Sequence, residues 1–219
     1  MELNIAEKYL LISLHPEKSR YLVSDQMINP GLFGSMLADL VMDDKVEIRD
    51  KRIHSKSDYT KISEAHNLIL SKISASKKAK RIKTWISNFN WNARKYRYMI
   101  LHELAMKSMI KLENKRFIMF NYKNARVINQ HVRQSILNDI TDTIYKKRTP
   151  DDEVASLLGI IDACKMYKVI TRDKAEIKLI RPVIKEKVKQ DSISKEVQLV
   201  INEIQAASVA ATTVATSSY

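Results

Sequence analysis

Residues that turn a chain are scarce here: glycine occurs 3 times and proline 4 times in 219 residues. Sandwiches, barrels and doubly wound sheets all need many tight turns, so the shortage argues against them and for helices. Cysteine is reduced to Cys164. A single thiol excludes an internal disulfide and a cysteine-based zinc site, and it suits a reducing compartment. No apolar run is long enough to span a bilayer, so any membrane contact is peripheral. The opening MELNIAEKYLLISLHPEKSR carries acids ahead of its apolar run and lacks a small-residue cleavage site, and reads as neither signal peptide nor anchor.

Catalytic patterns are missing as well. GxSxG, GxGxxG and the phosphate loop GxxxxGK do not occur, and His15, His54, His66, His102 and His131 are scattered without HExxH spacing. The acid pairs Asp43-Asp44 and Asp151-Asp152 fall at helix ends, where capping accounts for them. Cys164 ends an apolar helical pattern and reads as a small buried residue rather than a nucleophile. The expectation is a protein without enzymatic activity, metal or cofactor.

What is present is positive charge and apolar periodicity. Lys and Arg outnumber Asp and Glu by 38 to 25, a formal charge of +13, which draws the chain to polyanions: nucleic acid or an anionic membrane. With 45% hydrophobic residues the chain can bury a sizeable core, and it reads as one domain over 1–219. Asn4 and Glu7 have capping-box spacing at the head of a short amphipathic helix. YLVS follows as a short strand, and Asn29-Pro30 signals a second helix with Pro at its first position. Gly31 and Gly34 in that helix point to close backbone approach. Val46, Ile48 and Ile53 alternate around Asp50-Lys51 as a hairpin.

Helical spacing returns at Ile62, Ala65, Ile69 and Ile73, at Ile82, Trp85, Ile86 and Phe89, and from Trp91 to about Met109. A second hairpin is expected around Glu113-Asn114, then a helix over Val127 to Tyr145. Thr149-Pro150-Asp151-Asp152-Glu153 reads as a helix start with a threonine cap. Two more helices follow, over Asp173 to Gln190 with a kink or break at Pro182, and from Ser194 to about Ala211. The small-residue tail over 206–219 is either closely packed or frayed. The fold class is mainly α: a helical bundle of about eight helices with two small hairpins.

Within this frame NWNARKYRYM is unusual, with cations and aromatics and no acid. On a helix from Trp91 to Lys107, Arg94 and Arg97 continue the face of Ile100, Leu101, Leu104 and Ala105, whereas Lys95 and His102 point to solvent. A partly buried guanidinium needs an acceptor. In the first turns of a helix that acceptor is an external anion, for which the planar fork of Arg suits phosphate. The alternative is an internal salt bridge to an Asp or Glu elsewhere in the fold.

The chain also resembles the Golgi phosphoprotein 3 family over nearly its whole length. LNIAEKYLLISL is similar to the family's opening helix, INPGLFGSMLADLVMDDKVEI to its glycine-bearing helix and strand, and TWISNF to its Trp-Ile motif. KSMIKLENKRFIMF is similar to its helix end and hairpin, and DDEVASLLGIIDACKMYKVI to its late buried helix. The resemblance implies a mostly helical, non-enzymatic, peripheral membrane protein that binds phosphatidylinositol 4-phosphate in a shallow basic pocket beside a hairpin dipping into the bilayer. The family's Arg-x-x-Arg pair falls on Arg94 and Arg97, and the hairpin places Phe117, Met119 and Phe120 against the membrane. At the positions of the family's pocket tryptophan and further arginine stand Ser24 and Phe33, a departure that puts headgroup specificity in question. The family's long N-terminal tail has no counterpart, so Golgi retention is not carried over. The Lys/Ile/Asn-rich composition suits a bacterial relative.

These readings imply a cytoplasmic protein reversibly associated with the cytosolic face of a membrane, with an anionic lipid as partner and homo-oligomerisation as one means of strengthening the contact. Arg94, Lys95 and Arg97 would contribute about 1 kcal/mol each near an anionic surface. Two buried hairpin apolars would add roughly 1.5 to 3 kcal/mol each, so affinity stays no tighter than about micromolar. Two rivals stand beside this reading. Lys77, Lys78, Lys80, Arg81 and Lys83 near Trp85, Trp91 and Tyr98 suit nucleic acid. A protein-interaction module without a ligand would instead pair Arg94 and Arg97 with internal carboxylates.

Overall fold

The computed structural model describes the backbone of residues 2–117, 120–146, 148–189 and 194–216, and the side chains of these apart from those within 114–123, 189 and 208–216. The elements are α1 (Ile5–Ser13), α2 (Asp25–Met42), β1 (Val46–Arg49), β2 (Arg52–Ser55), α3 (Glu64–Ser74), β3 (Lys80–Arg81) and α4 (Ile82–Met106). They continue with β4 (Ile110–Phe117), β5 (Phe120–Val127), α5 (Gln130–Tyr145), α6 (Asp152–Ala163), α7 (Lys174–Lys189) and α8 (Lys195–Thr216). The mainly α class is as expected, with eight helices and two small antiparallel sheets among the described residues.

α2 is buried on every side, from Ile28, Leu32 and Phe33 to Met36, Leu37 and Leu40, as a helix at the centre of a bundle must be. It packs against α1, α4, α6 and α8. Its glycines permit this closeness: a Cβ on Gly31 would collide with the Tyr9 hydroxyl, and one on Gly34 with Ile204 of α8. The helix begins at Asp25 after the N-cap Ser24, so Pro30 lies inside it rather than at its first position. The Tyr9 hydroxyl reaches the carbonyls of Met27 and Ile28 beside the proline, at 3.3 and 3.2 Å, from within the core.

The start of α1 shows why the fold begins there. All four N–H groups that the first turn leaves without helical partners are met by side chains. Asn4 and Glu7 form the expected capping box, while Ile5 and Ala6 donate to the two carboxylate oxygens of Asp39 on α2, at 2.9 and 3.0 Å. His66 of α3 joins Asp39 through Nε2 at 3.0 Å, and its Nδ1 meets the Ser63 hydroxyl at 2.7 Å. Lys107, just beyond α4, closes the cluster with an ion pair to buried Glu7 at 2.7 Å. Four helices are tied at this point.

Several boundaries differ from the sequence reading. YLVS makes only a bridge, Leu14 to Tyr21, not a strand. The β1–β2 hairpin has the expected turn, with Asp50 and Lys51 both in the left-handed region, but β3 adds a third strand to its sheet. The segments at Ile82 and Trp91 are one helix, because nothing between Gly34 and Pro150 supplies a glycine or proline to interrupt it. The second hairpin does not turn at Glu113-Asn114: β4 and β5 pair from Ile110↔Val127 out to Phe117↔Phe120, with Glu113 opposite Asn124. The polar pair is part of the ladder.

Val127 belongs to β5, and α5 starts after the cap Asn129, whose side chain accepts from the Val132 N–H. α6 is capped by Asp151, which accepts from the Val154 N–H at 2.8 Å, rather than by Thr149. α7 runs unbroken through Pro182, and α8 continues as helix to Thr216.

Candidate functional site

α4 turns its core face along Ile82, Ile86, Phe89, Ala93, Tyr96, Ile100 and Leu104. The ordering of the two arginines follows from this stripe. Arg97 lies at its edge with a half-buried side chain, and Arg94, one turn earlier, is exposed. Arg94 therefore does not continue the apolar seam, contrary to the helical spacing counted from Trp91. Both residues are also three to four turns inside α4, so the anion-favouring N–H groups at its start are out of reach.

A different helix start takes that place. Arg97 meets Asp25, the first residue of α2, in a forked pair, with Nη1 and Nη2 at 2.7 and 2.9 Å from the two carboxylate oxygens. Its guanidinium also lies 5.3 Å from the centre of the Tyr21 ring, a cation–π distance. Ser24 caps α2 only through its backbone, with no capping hydrogen bond to its side chain among the described residues. The first turn of α2 therefore retains N–H groups and a positive dipole end beside the guanidinium.

The electrostatics agree with the geometry. Hydrogen bonding from Arg97 holds the Asp25 carboxyl below the usual carboxylate range, with Arg94 adding to the effect. Burial raises the Tyr21 hydroxyl, which has no partner among the described residues. The Arg97 side chain is only 12% exposed while that of Asp25 is 62% exposed, so the pair has a fixed cation and an open anion. Arg94 forms no ion pair among the described residues and stands free one turn away.

The other residues singled out from the sequence fall in separate places. Phe33 is 1% exposed and packs on Phe89, 5.2 Å between ring centres, so its side chain serves the core. Met119 lies outside the described residues, as do the side chains of Phe117 and Phe120; at the hairpin's base Ile110, Ala125 and Val127 are buried. Lys77, Lys78, Lys80, Arg81 and Lys83 are exposed, but Trp85 is buried with Lys80 over its ring. Of the aromatics near that run, Trp91 is the one fully presented to solvent, at 89% exposure.

Ser63, His66 and Asp39 have the composition of a hydrolytic triad, yet the geometry gives them another task. The Ser63 hydroxyl accepts from the His66 N–H as the cap of α3, the imidazole is wholly buried, and both Asp39 oxygens serve α1. Asp25 and Tyr21 were not singled out from the sequence. The Ser24-Asp25 step, a helix cap followed by a first-turn acid, was the available signal. Among the described residues no helix is long and apolar enough to cross a membrane. The sequence model of the Golgi phosphoprotein 3 family matches residues 5–204.

Proposed function

Since the chain belongs to the Golgi phosphoprotein 3 family, we propose that it is a non-enzymatic peripheral membrane protein, one domain over 1–219, that holds a phosphorylated lipid headgroup with Arg94 and Arg97. Phosphatidylinositol 4-phosphate is the headgroup the family suggests, and the cytosolic face of a membrane is where it is met. The observation that carries the reading is the place of Arg97: a half-buried guanidinium, steadied on Tyr21, at the side-chain-uncapped start of α2. A phosphate there would take the donor fork now held by Asp25, with Arg94 as second cation. The hairpin, through Phe117, Met119 and Phe120, is proposed as the apolar contact beside it.

Co-sedimentation with vesicles, with and without phosphatidylinositol 4-phosphate, tests this reading. The wild type should sediment preferentially with the headgroup, and Arg94→Ala/Arg97→Ala should lose that preference. Equal sedimentation of the two proteins would remove these residues from the site.

The Arg97–Asp25 pair also supports a second reading, a protein-interaction module in which the cation has its internal carboxylate. That reading expects no headgroup-dependent sedimentation from any variant of the pair. Nucleic-acid binding draws less support, because Trp85, the aromatic closest to the cation run, is buried and Tyr98 is half-buried, which leaves Trp91 as the one aromatic of the three fully presented for stacking.

A further inference from the structure

A second group of basic side chains lacks the carboxylate that completes Arg97. Arg133, on the first turn of α5, is 5% exposed. Its one hydrogen bond among the described residues is a long one, Nη2 to the Ile12 carbonyl at 3.3 Å, and its buried Nε has no partner. A guanidinium has five N–H donors, so most of this one is unspent. The carbonyl end of α1 accounts for a single contact.

Two neighbours, one buried and one exposed, extend the group. His15, 4% exposed, accepts the N–H groups of Glu17 and Lys18 at Nδ1, both at 3.1 Å, which leaves its proton on Nε2 as a free donor. Arg172, in the segment before α7, lies close enough to act on both: burial and then Arg172 lower Arg133, and burial, Arg172, Arg20 and Lys18 lower His15. Glu17 is the one acid acting on His15, and it forms no ion pair among the described residues. The elements are held together independently, since the Gln130 amide donates to the Pro16 carbonyl.

A buried cation without a counter-charge is strongly destabilising. We propose that Arg133, Arg172 and His15 form a second site, one that takes an oxyanion group, with exposed Lys18 and Arg20 at its rim. The preferred class is phosphate, whose geometry matches the guanidinium fork. It comes either as the free ion or as a lipid headgroup. The site shares the His15–Tyr21 loop with the Arg97 cluster but none of its ligating groups, and it does not rest on the headgroup reading.

The test is thermal unfolding in inorganic phosphate against chloride at matched ionic strength. Phosphate should raise the melting temperature of the wild type and also that of Arg94→Ala/Arg97→Ala, in which the Arg97 cluster contributes nothing and to which the further substitutions are added. The increment should fall by more than half on adding Arg172→Ala. In that background it should vanish on adding Arg133→Met, which in chloride should melt at or above its parent because the uncompensated charge is gone. Three results would each overturn the site: no phosphate-specific increment in the wild type, an increment that survives the addition of Arg172→Ala and Arg133→Met, or one lost in Arg94→Ala/Arg97→Ala, which would move the anion to the Arg97 cluster. Arg172 is exposed, so its variant decides if Arg133→Met does not fold. Adding vesicles with phosphate-bearing lipid to Arg94→Ala/Arg97→Ala separates the sources: sedimentation that depends on Arg172 points to a headgroup, and an increment with free phosphate alone to the ion.

Discussion

The starts of α1 and α2 face the same physical problem, orphan N–H groups beside an aspartate, and solve it in opposite ways. At α1 every orphan donor is met by Asn4, Glu7 or Asp39, and Asp39 is buried with His66 behind it. At α2 the cap side chain is idle, and the attending Asp25 is open to water on one side and gripped by Arg97 on the other. The closed terminus has no N–H group left for a ligand. The open one has a cation held in position by the fold and an anion that the solvent side can replace. Residue type alone would not separate them; what separates them is whether each acceptor is surrounded by fixed donors.

The largest expected effect lies at the closed terminus. Asp39→Ala leaves the Ile5 and Ala6 N–H groups and the buried His66 ring without their acceptor, and should cost about 3 to 5 kcal/mol in chemical denaturation. The protein that remains folded should sediment with headgroup vesicles as the wild type does. A mild loss of stability would mean that water reaches this cluster. Arg94→Ala/Arg97→Ala should show the reverse profile: headgroup-dependent sedimentation lost, stability lowered by about 1 kcal/mol or less, since the partner Asp25 is largely solvated.

The two termini also differ in how far they could be read from the chain. The capping box at Asn4 and Glu7 is local, separated by three residues, and it was recovered. Its completion by Asp39, His66 and Lys107 comes from residues 27 to 100 positions apart and carries no periodic signal. The helices were recovered through their apolar spacing, and the β1–β2 turn through its polar pair. Boundaries failed where two local signals competed. Pro30 outweighed Ser24-Asp25 as a start, and the polar Glu113-Asn114 imitated a turn inside a ladder. The spacing singles out Arg94 and Arg97 but sets them at the start of their own helix, whereas they lie three to four turns inside α4. The α2 terminus meets them only through the tertiary packing of α2 on α4.

Asp25→Asn tests the open terminus more finely. It keeps the shape of the carboxylate, removes its charge and so loosens its hold on the Arg97 fork. If phosphate replaces Asp25 there, headgroup affinity should rise, by up to about fivefold for an exposed pair worth at most about 1 kcal/mol. Lower affinity would instead give Asp25 the role of orienting Arg97 for the ligand. No headgroup response in either protein would favour the interaction module.

The smallest effect belongs to Glu103, which borders the closed cluster with Oε2 buried and without a partner among the described residues. Burial raises its carboxyl above the ordinary value, against smaller lowering effects from Ser63 and His66. The sign follows from the direction of that shift. A carboxyl raised in the folded state favours folding where it is protonated, and that advantage is lost as pH climbs from the unfolded value through the folded one. Glu103→Gln removes the buried charge, so it should be more stable than the wild type at neutral pH by an amount well below the Asp39→Ala effect. The difference should close as pH falls below the ordinary glutamate value of about 4.3. Urea midpoints at pH 7 and pH 4 measure both quantities. A variant less stable than the wild type at pH 7 would show that the charge is bound to the cluster, which would then extend from α1 to the middle of the last turns of α4.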